Sequence, residues 1–103
     1  MGRVTIVIKR LKEARERAGL SQRRLGLKAG MDLFGASTKM NQYERDVHGP
    51  DLRTVTQVAQ ALNVPVPYFY CEDDELAAVI LKFSELGVED KKRLLVQLGV
   101  ASK

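Results

Sequence analysis

The chain has 103 residues, 45% of them hydrophobic and 29% charged, a size and balance whose default is one globular unit with a core modest enough that self-association is a natural supplement. A single Cys71 and a single His48 exclude an internal disulfide and a structural zinc set, and the longest apolar run, Ile6-Val7-Ile8, is far too short for a membrane span. The net charge of +4 is unevenly placed: residues 1–50 carry 11 Lys/Arg against 5 Asp/Glu and residues 51–103 carry 6 against 8, which makes the front half the polyanion-facing half.

In chain order, Ile8, Leu11, Ala14 or Arg15, and Ala18 recur at three and four residues, predicting a helix from about Thr5 to Ala18 with Lys9, Arg10, Lys12, Glu13, Glu16 and Arg17 on its other faces. Gly19 supplies a left-handed cap, Ser21 an N-cap, and a second helix runs from Gln22 to about Ala29 before Gly30 closes it. Gly26 in its middle costs about 1 kcal/mol relative to Ala, which suggests that a neighbouring helix approaches closely there. A third helix covers roughly Ala36 to Arg45. Ala36, Met40, Tyr43 and Val47 fall within about 60° on its inward face, and Thr38, Asn41, Gln42 and Arg45 fall opposite.

Gly49-Pro50 makes a turn, Asp51 caps a fourth helix carrying Leu52, Val55, Val58, Ala59 and Leu62, and Asn63 ends it. Val64 to Tyr70 is too proline-rich for a strand interior and predicts one short helical turn whose aromatics cover the core, with Cys71 as a small packing residue. Asp73 or Asp74 then opens a helix with Leu76, Val79, Ile80, Phe83 and Leu86 on one side. Gly87 breaks it, and Leu94, Leu95 and Leu98 mark a last helix from about Glu89. No alternating strand and no internal repeat is visible, so the expected fold class is all-α, near seven helices.

The run Arg10-Leu11-Lys12-Glu13-Ala14-Arg15 with Gly19-Leu20-Ser21-Gln22, then Leu25, Ala29-Gly30, Ser37 to Arg45, Pro50-Asp51-Leu52 and Leu62-Asn63-Val64 resembles the Cro/repressor-type (XRE) helix-turn-helix regulators over about Ile8 to Tyr70. The resemblance implies a lambda-repressor-like five-helix DNA-binding domain in residues 1–71. Residues 72–103 would be an added helical pair, packed on it or mediating dimerisation. It implies that Ser21 and Gln22 meet a DNA phosphate, and that Ser37, Thr38, Asn41, Gln42 and Arg45 read bases in the major groove. Arg23 and Lys39 are expected near phosphate, and Arg15 near the end of the first helix is expected to pair with Glu44. The plain alternative for these polar side chains is a solvated helix face.

Three departures from the family pattern stand out. Asp46 and Val47 replace a usual Gly and basic residue, leaving His48 as the substitute phosphate contact. About four extra residues, Asp32-Leu33-Phe34-Gly35, precede the third helix, with Leu33 and Phe34 expected to pack this insert down. The C-terminal pair lies outside the resemblance.

The sequence-level expectation is a homodimeric, sequence-specific regulator of double-stranded DNA, a repressor in style, without cofactor or metal. The absence of a charged-then-apolar leader adds a cytoplasmic setting. The acidic run Glu72-Asp73-Asp74-Glu75 fits a helix N-terminus better than a metal site. No catalytic constellation is visible. The competing class is an antitoxin-type module of the same fold that neutralises a partner protein through residues 72–103 and autoregulates its operon.

Overall fold

The computed structural model describes residues 3–45 and 49–102. Among them the elements are α1 (Arg3–Arg17), α2 (Gln22–Lys28), α3 (Ala36–Arg45), α4 (Leu52–Leu62), α5 (Val66–Tyr70), α6 (Asp74–Glu85) and α7 (Val88–Gln97), with no strand among the described residues. Local chemistry sets most of the boundaries. Ser21 accepts a hydrogen bond from the Arg24 N–H at the start of α2, and Asp51 accepts one from the Thr54 N–H at the start of α4. Gly30 (φ +91°) turns the chain out of α2, and Asn63 (φ 56°) takes the same left-handed conformation after α4. Pro65 and Pro67 confine α5 to five residues.

The core lies where α1, α2, α3, α4 and α5 meet. Leu11, Leu25, Met40, Val55, Val58, Tyr68 and Phe69 are its largest fully buried side chains, with the Tyr68 and Phe69 rings edge to face at 5.3 Å. The buried stripe of α1 is Ile6, Val7, Arg10, Leu11 and Ala14, so the expected stripe through Ile8 and Ala18 is out of phase: Ile8 is half-buried and Ala18 exposed.

Arg10, expected on a solvent face, is 2% exposed. Its guanidinium donates to the Cys71 carbonyl through Nε (3.0 Å) and Nη2 (2.8 Å), to Glu13 through Nη1 (2.9 Å) and to Asp74 through Nη2 (2.9 Å). It also lies 5.5 Å from the Tyr68 ring centroid. Burial pulls the Arg10 pKa down, but the hydrogen bonds to Glu13 and Asp74 outweigh it and leave the pKa raised. The Arg10 bond to Asp74, with a second from Lys9, holds that exposed carboxyl below its usual range.

This cluster fastens the start of α6 to α1. The acidic run divides its tasks accordingly, Asp73 capping α6 through the Glu75 and Leu76 N–H groups while Asp74 takes Arg10 and Lys9. Ala77 of α6 is buried in the common core, with Ile80 and Leu81 packed against it. Leu76 and Val79, expected on the inner side, are about half exposed because α6 is turned to present Ala77 instead. No residue of α7 is buried. The radius of gyration, 15.2 Å, exceeds the ~13 Å of a compact chain of this length, and the long axis reaches 51 Å.

The tightest approach between helices is at Gly26. A Cβ there would stand 2.8 Å from the Ala36 Cβ and 2.9 Å from the Ala36 carbonyl oxygen, so α2 and α3 are in backbone contact at that point. Gly26→Ala should therefore destabilise the protein despite its gain of ~1 kcal/mol in helix propensity, since the overpacking costs about 1–3 kcal/mol and no flexible side chain can yield. Urea unfolding should show a midpoint below wild type; an equal or higher one would mean that the helices are not in contact there.

Candidate nucleic-acid interface

Helices α2 and α3 and the segment joining them form a helix-turn-helix pair, the second helix lying across the first at the Gly26–Ala36 contact. Ala36 and Met40 of α3 are fully buried and Tyr43 is half-buried, which leaves Ser37, Thr38, Lys39, Gln42 and Arg45 exposed and Asn41 half-exposed. The inward and outward faces are thus those expected from periodicity, and Ala36 to Arg45 is the helix observed. Arg23 and Arg24 are exposed on α2, and with Lys28, Lys39 and Arg45 they give this part of the molecule a cationic surface.

The rotation of α3 is set from behind by a carboxylate. Glu44, with a side chain 3% exposed, takes two hydrogen bonds from Arg15, Nε to Oε2 at 2.6 Å and Nη2 to Oε1 at 3.1 Å. The remaining Arg15 nitrogen, Nη1, donates to the Leu20 carbonyl at 2.8 Å, tying the pair to the turn before α2. The hydrogen bond to Glu44 is the main cause of the raised Arg15 pKa.

Gln22 joins this network. Its Nε2 donates to Glu44 Oε1 at 3.2 Å and, more weakly, to Asn41 Oδ1 at 3.4 Å. Three helices therefore meet at one carboxylate. Neither Gln22 contact has a sequence signature, because residues 22 and 44 come together only through the α2–α3 crossing.

The remaining site residues are placed as follows. Ser21 caps α2 with its side chain, so its hydroxyl is already engaged as an acceptor. Lys39 lies beside the preceding turn, its Cε 3.7 Å from where a Cβ on Gly35 would stand. His48, with Asp46 and Val47, lies outside the described residues. The insert does not pack down as expected: Phe34 is 91% and Leu33 52% exposed. The physical reason is that the close contact at Gly26 already seats α3 on α2, so the inserted turn projects beyond the packed interface.

No protein-family model matches the chain. Its sequence is 35% identical over 66 residues to the HTH-type transcriptional regulator ImmR of Bacillus subtilis (strain 168), a stretch covering 64% of this chain and 49% of that protein. The chain thus spans about half the length of that curated relative. The crystal structure of transcriptional regulator BswR matches over 91% of this chain and 93% of its own, with 52% identity and a TM-score of 0.83. The chain belongs to the XRE-type family of helix-turn-helix, DNA-binding transcriptional regulators. No helix among the described residues is long and apolar enough to cross a membrane.

Truncating Arg15 leaves the Glu44 carboxylate buried with only the Gln22 amide as a partner. Arg15→Ala should lower stability by about 3 kcal/mol, the cost of breaking a buried pair from one side. Lys9→Ala, which loses only an exposed contact to Asp74, should change it by less than about 1 kcal/mol. Parallel urea titrations decide this, and equal losses would remove the special status of the buried pair.

Proposed function

We propose that the protein is a homodimeric repressor that binds a specific operator with α3 in the major groove. The observation that carries this is the outward face of α3: hydrogen-bonding side chains at Ser37, Thr38, Asn41, Gln42 and Arg45 on a helix whose opposite face is locked by Met40, Gly26 and the Arg15–Glu44 pair. Rigid presentation favours base reading, since a displaced helix would lose the geometry that each contact needs. Asn41 and Gln42 suit adenine, Arg45 suits guanine or a phosphate, and the hydroxyls of Ser37 and Thr38 suit either donors or acceptors.

Around this face, Ser21, Gln22, Arg23 and Lys39 take the backbone phosphates. Gln22 does so through its backbone N–H at the first position of α2, because its Nε2 hydrogens are directed at Glu44 and Asn41. His48 is assigned the same role only as the substitute for the basic residue that the family pattern has and this sequence lacks. Repression then consists of occupying the operator and excluding polymerase, with no chemical step.

The dimer is supported by the C-terminal extension, residues 72–103, where Leu76, Val79, Val88, Leu98 and Val100 are all at least half exposed. A two-fold through this surface would set two recognition helices about 34 Å apart, one turn of DNA. The same exposed residues favour one other reading, an antitoxin that covers them with a different protein and uses its DNA contacts for autoregulation.

Selection of bound duplexes from a random pool should return a near-palindromic site for the wild-type protein. Asn41→Ala and Gln42→Ala should each relax the selection at one position per half-site and cost about 1–3 kcal/mol there; unaltered selection by both variants would remove the base-reading assignment. The double variant Leu98→Glu, Val100→Glu should sediment as a monomer and bind the operator at least tenfold more weakly. A wild-type protein already monomeric in the presence of its operator would turn the surface over to another partner.

A further inference from the structure

The insert before α3 is wound like the helix it feeds. The Asp32 carbonyl accepts from the Gly35 N–H at 3.1 Å and from the Ala36 N–H at 2.8 Å, and the Gly35 carbonyl accepts from the Lys39 N–H at 2.8 Å. A bond from residue 36 back to residue 32 has α-helical spacing, so the chain approaches α3 with helical phase. Continued back at 100° per residue, that phase puts Phe34 within about 60° of Thr38, Asn41 and Arg45, on the side away from Ala36 and Tyr43. The exposure agrees: Phe34 is 91% exposed and Ala36 is fully buried.

An aromatic side chain held out by a hydrogen-bonded turn forgoes one of the larger hydrophobic gains available to a residue. The α2–α3 contact at Gly26 and Ala36 leaves the ring outside the packed interface, where no described side chain covers it. The Lys39 methylenes and an Asp32 carboxylate oxygen lie about 4 Å from where a Cβ on Gly35 would stand, and neither covers the outward ring, which stays 91% exposed. What projects from the front of the recognition face is therefore an apolar group.

We infer that Phe34 is an additional specificity-determining residue that contacts the C5-methyl group of a thymine at the end of the half-site where α3 begins. This rests on the placement of α3 in the major groove proposed above. The chemistry fits, because the thymine methyl is the apolar feature of the major-groove edge, and a side chain without donors or acceptors can recognise a base only there or by stacking. The extra residues then lengthen the reading face by one side chain at the end where the polar contacts stop.

The test uses the full chain. Because Phe34 is exposed, Phe34→Ala should melt like wild type. On the selected operator it should bind about tenfold more weakly, with an unchanged slope of affinity against salt because no phosphate contact is lost. Lys39→Ala should reduce that slope by about one. Replacing each thymine of the operator in turn by deoxyuridine, which lacks only the methyl group, should weaken wild-type binding about fourfold at one position per half-site. Phe34→Ala should be blind to that replacement, whereas Phe34→Leu should retain part of the sensitivity.

The inference is overturned if Phe34→Ala binds as tightly as wild type, or if it binds more weakly but keeps the deoxyuridine effect. It is also overturned if the variant changes the oligomeric mass, which would assign the ring to a protein contact. Loss of selectivity in Asn41→Ala with none of the Phe34 effects would sink this inference and leave the groove placement standing. Unchanged selection by both variants would sink the groove placement itself.

Discussion

The Glu44 carboxylate is the point on which the arrangement of the first three helices depends. It lies in the last turn of α3 with almost no access to water, and its oxygens are shared among Arg15 of α1 and Gln22 of α2. A buried ion pair of this kind is not a large net source of stability, because removing two charges from water offsets most of their attraction. Its effect is on alternatives. Any rotation of α3 about its axis, or slip along α2, leaves a charge buried without a partner, so other placements are costly and one is retained. The outward face inherits that restriction, so the side chains proposed to meet base edges are held by an interaction on the far side of the helix.

Two further constraints share the work. Gly26 lets the α2 backbone touch Ala36, fixing the separation of the pair near the front of α3, whereas Glu44 fixes it near the back. Arg10 does for the C-terminal half what Arg15 does for α3. It crosses from α1 to the α5–α6 junction and takes up the Cys71 carbonyl left free where α5 ends. Helix α1 is thus the common support: one arginine orients α3, and another, five residues earlier, orients the element leading to the exposed apolar surface.

Local chemistry is what the sequence showed well. Ser21, Asp51 and Asn63 bound their helices by interactions reaching only a few residues, and the prolines around α5 limit it for reasons internal to the ring. The inward face of α3 followed from its periodicity, and the Arg15–Glu44 pairing came from the family resemblance. The phase of α1 was misjudged at Arg10, because a guanidinium reads as a solvent residue until acceptors from residues 71 and 74 are brought to it. Its spacing was the available signal: Arg10 follows the buried Val7 by three and precedes the buried Ala14 by four. The outward turn of Phe34 and the half-exposure of Leu76 and Val79 depend on contacts made elsewhere, so apolar character alone pointed these side chains inward.

The Arg10 clamp also determines where this protein can be taken apart. Exchanging its C-terminal helices for those of a relative at residue 71 would separate Arg10 from Asp74 and remove Ala77 from the common core. A chimera joined between Glu85 and Val88, at the break before α7, leaves both in place because α7 contributes no buried residue. The interchangeable unit is therefore the terminal helix alone. A different terminal surface can be grafted there without disturbing the helix-turn-helix half of the molecule.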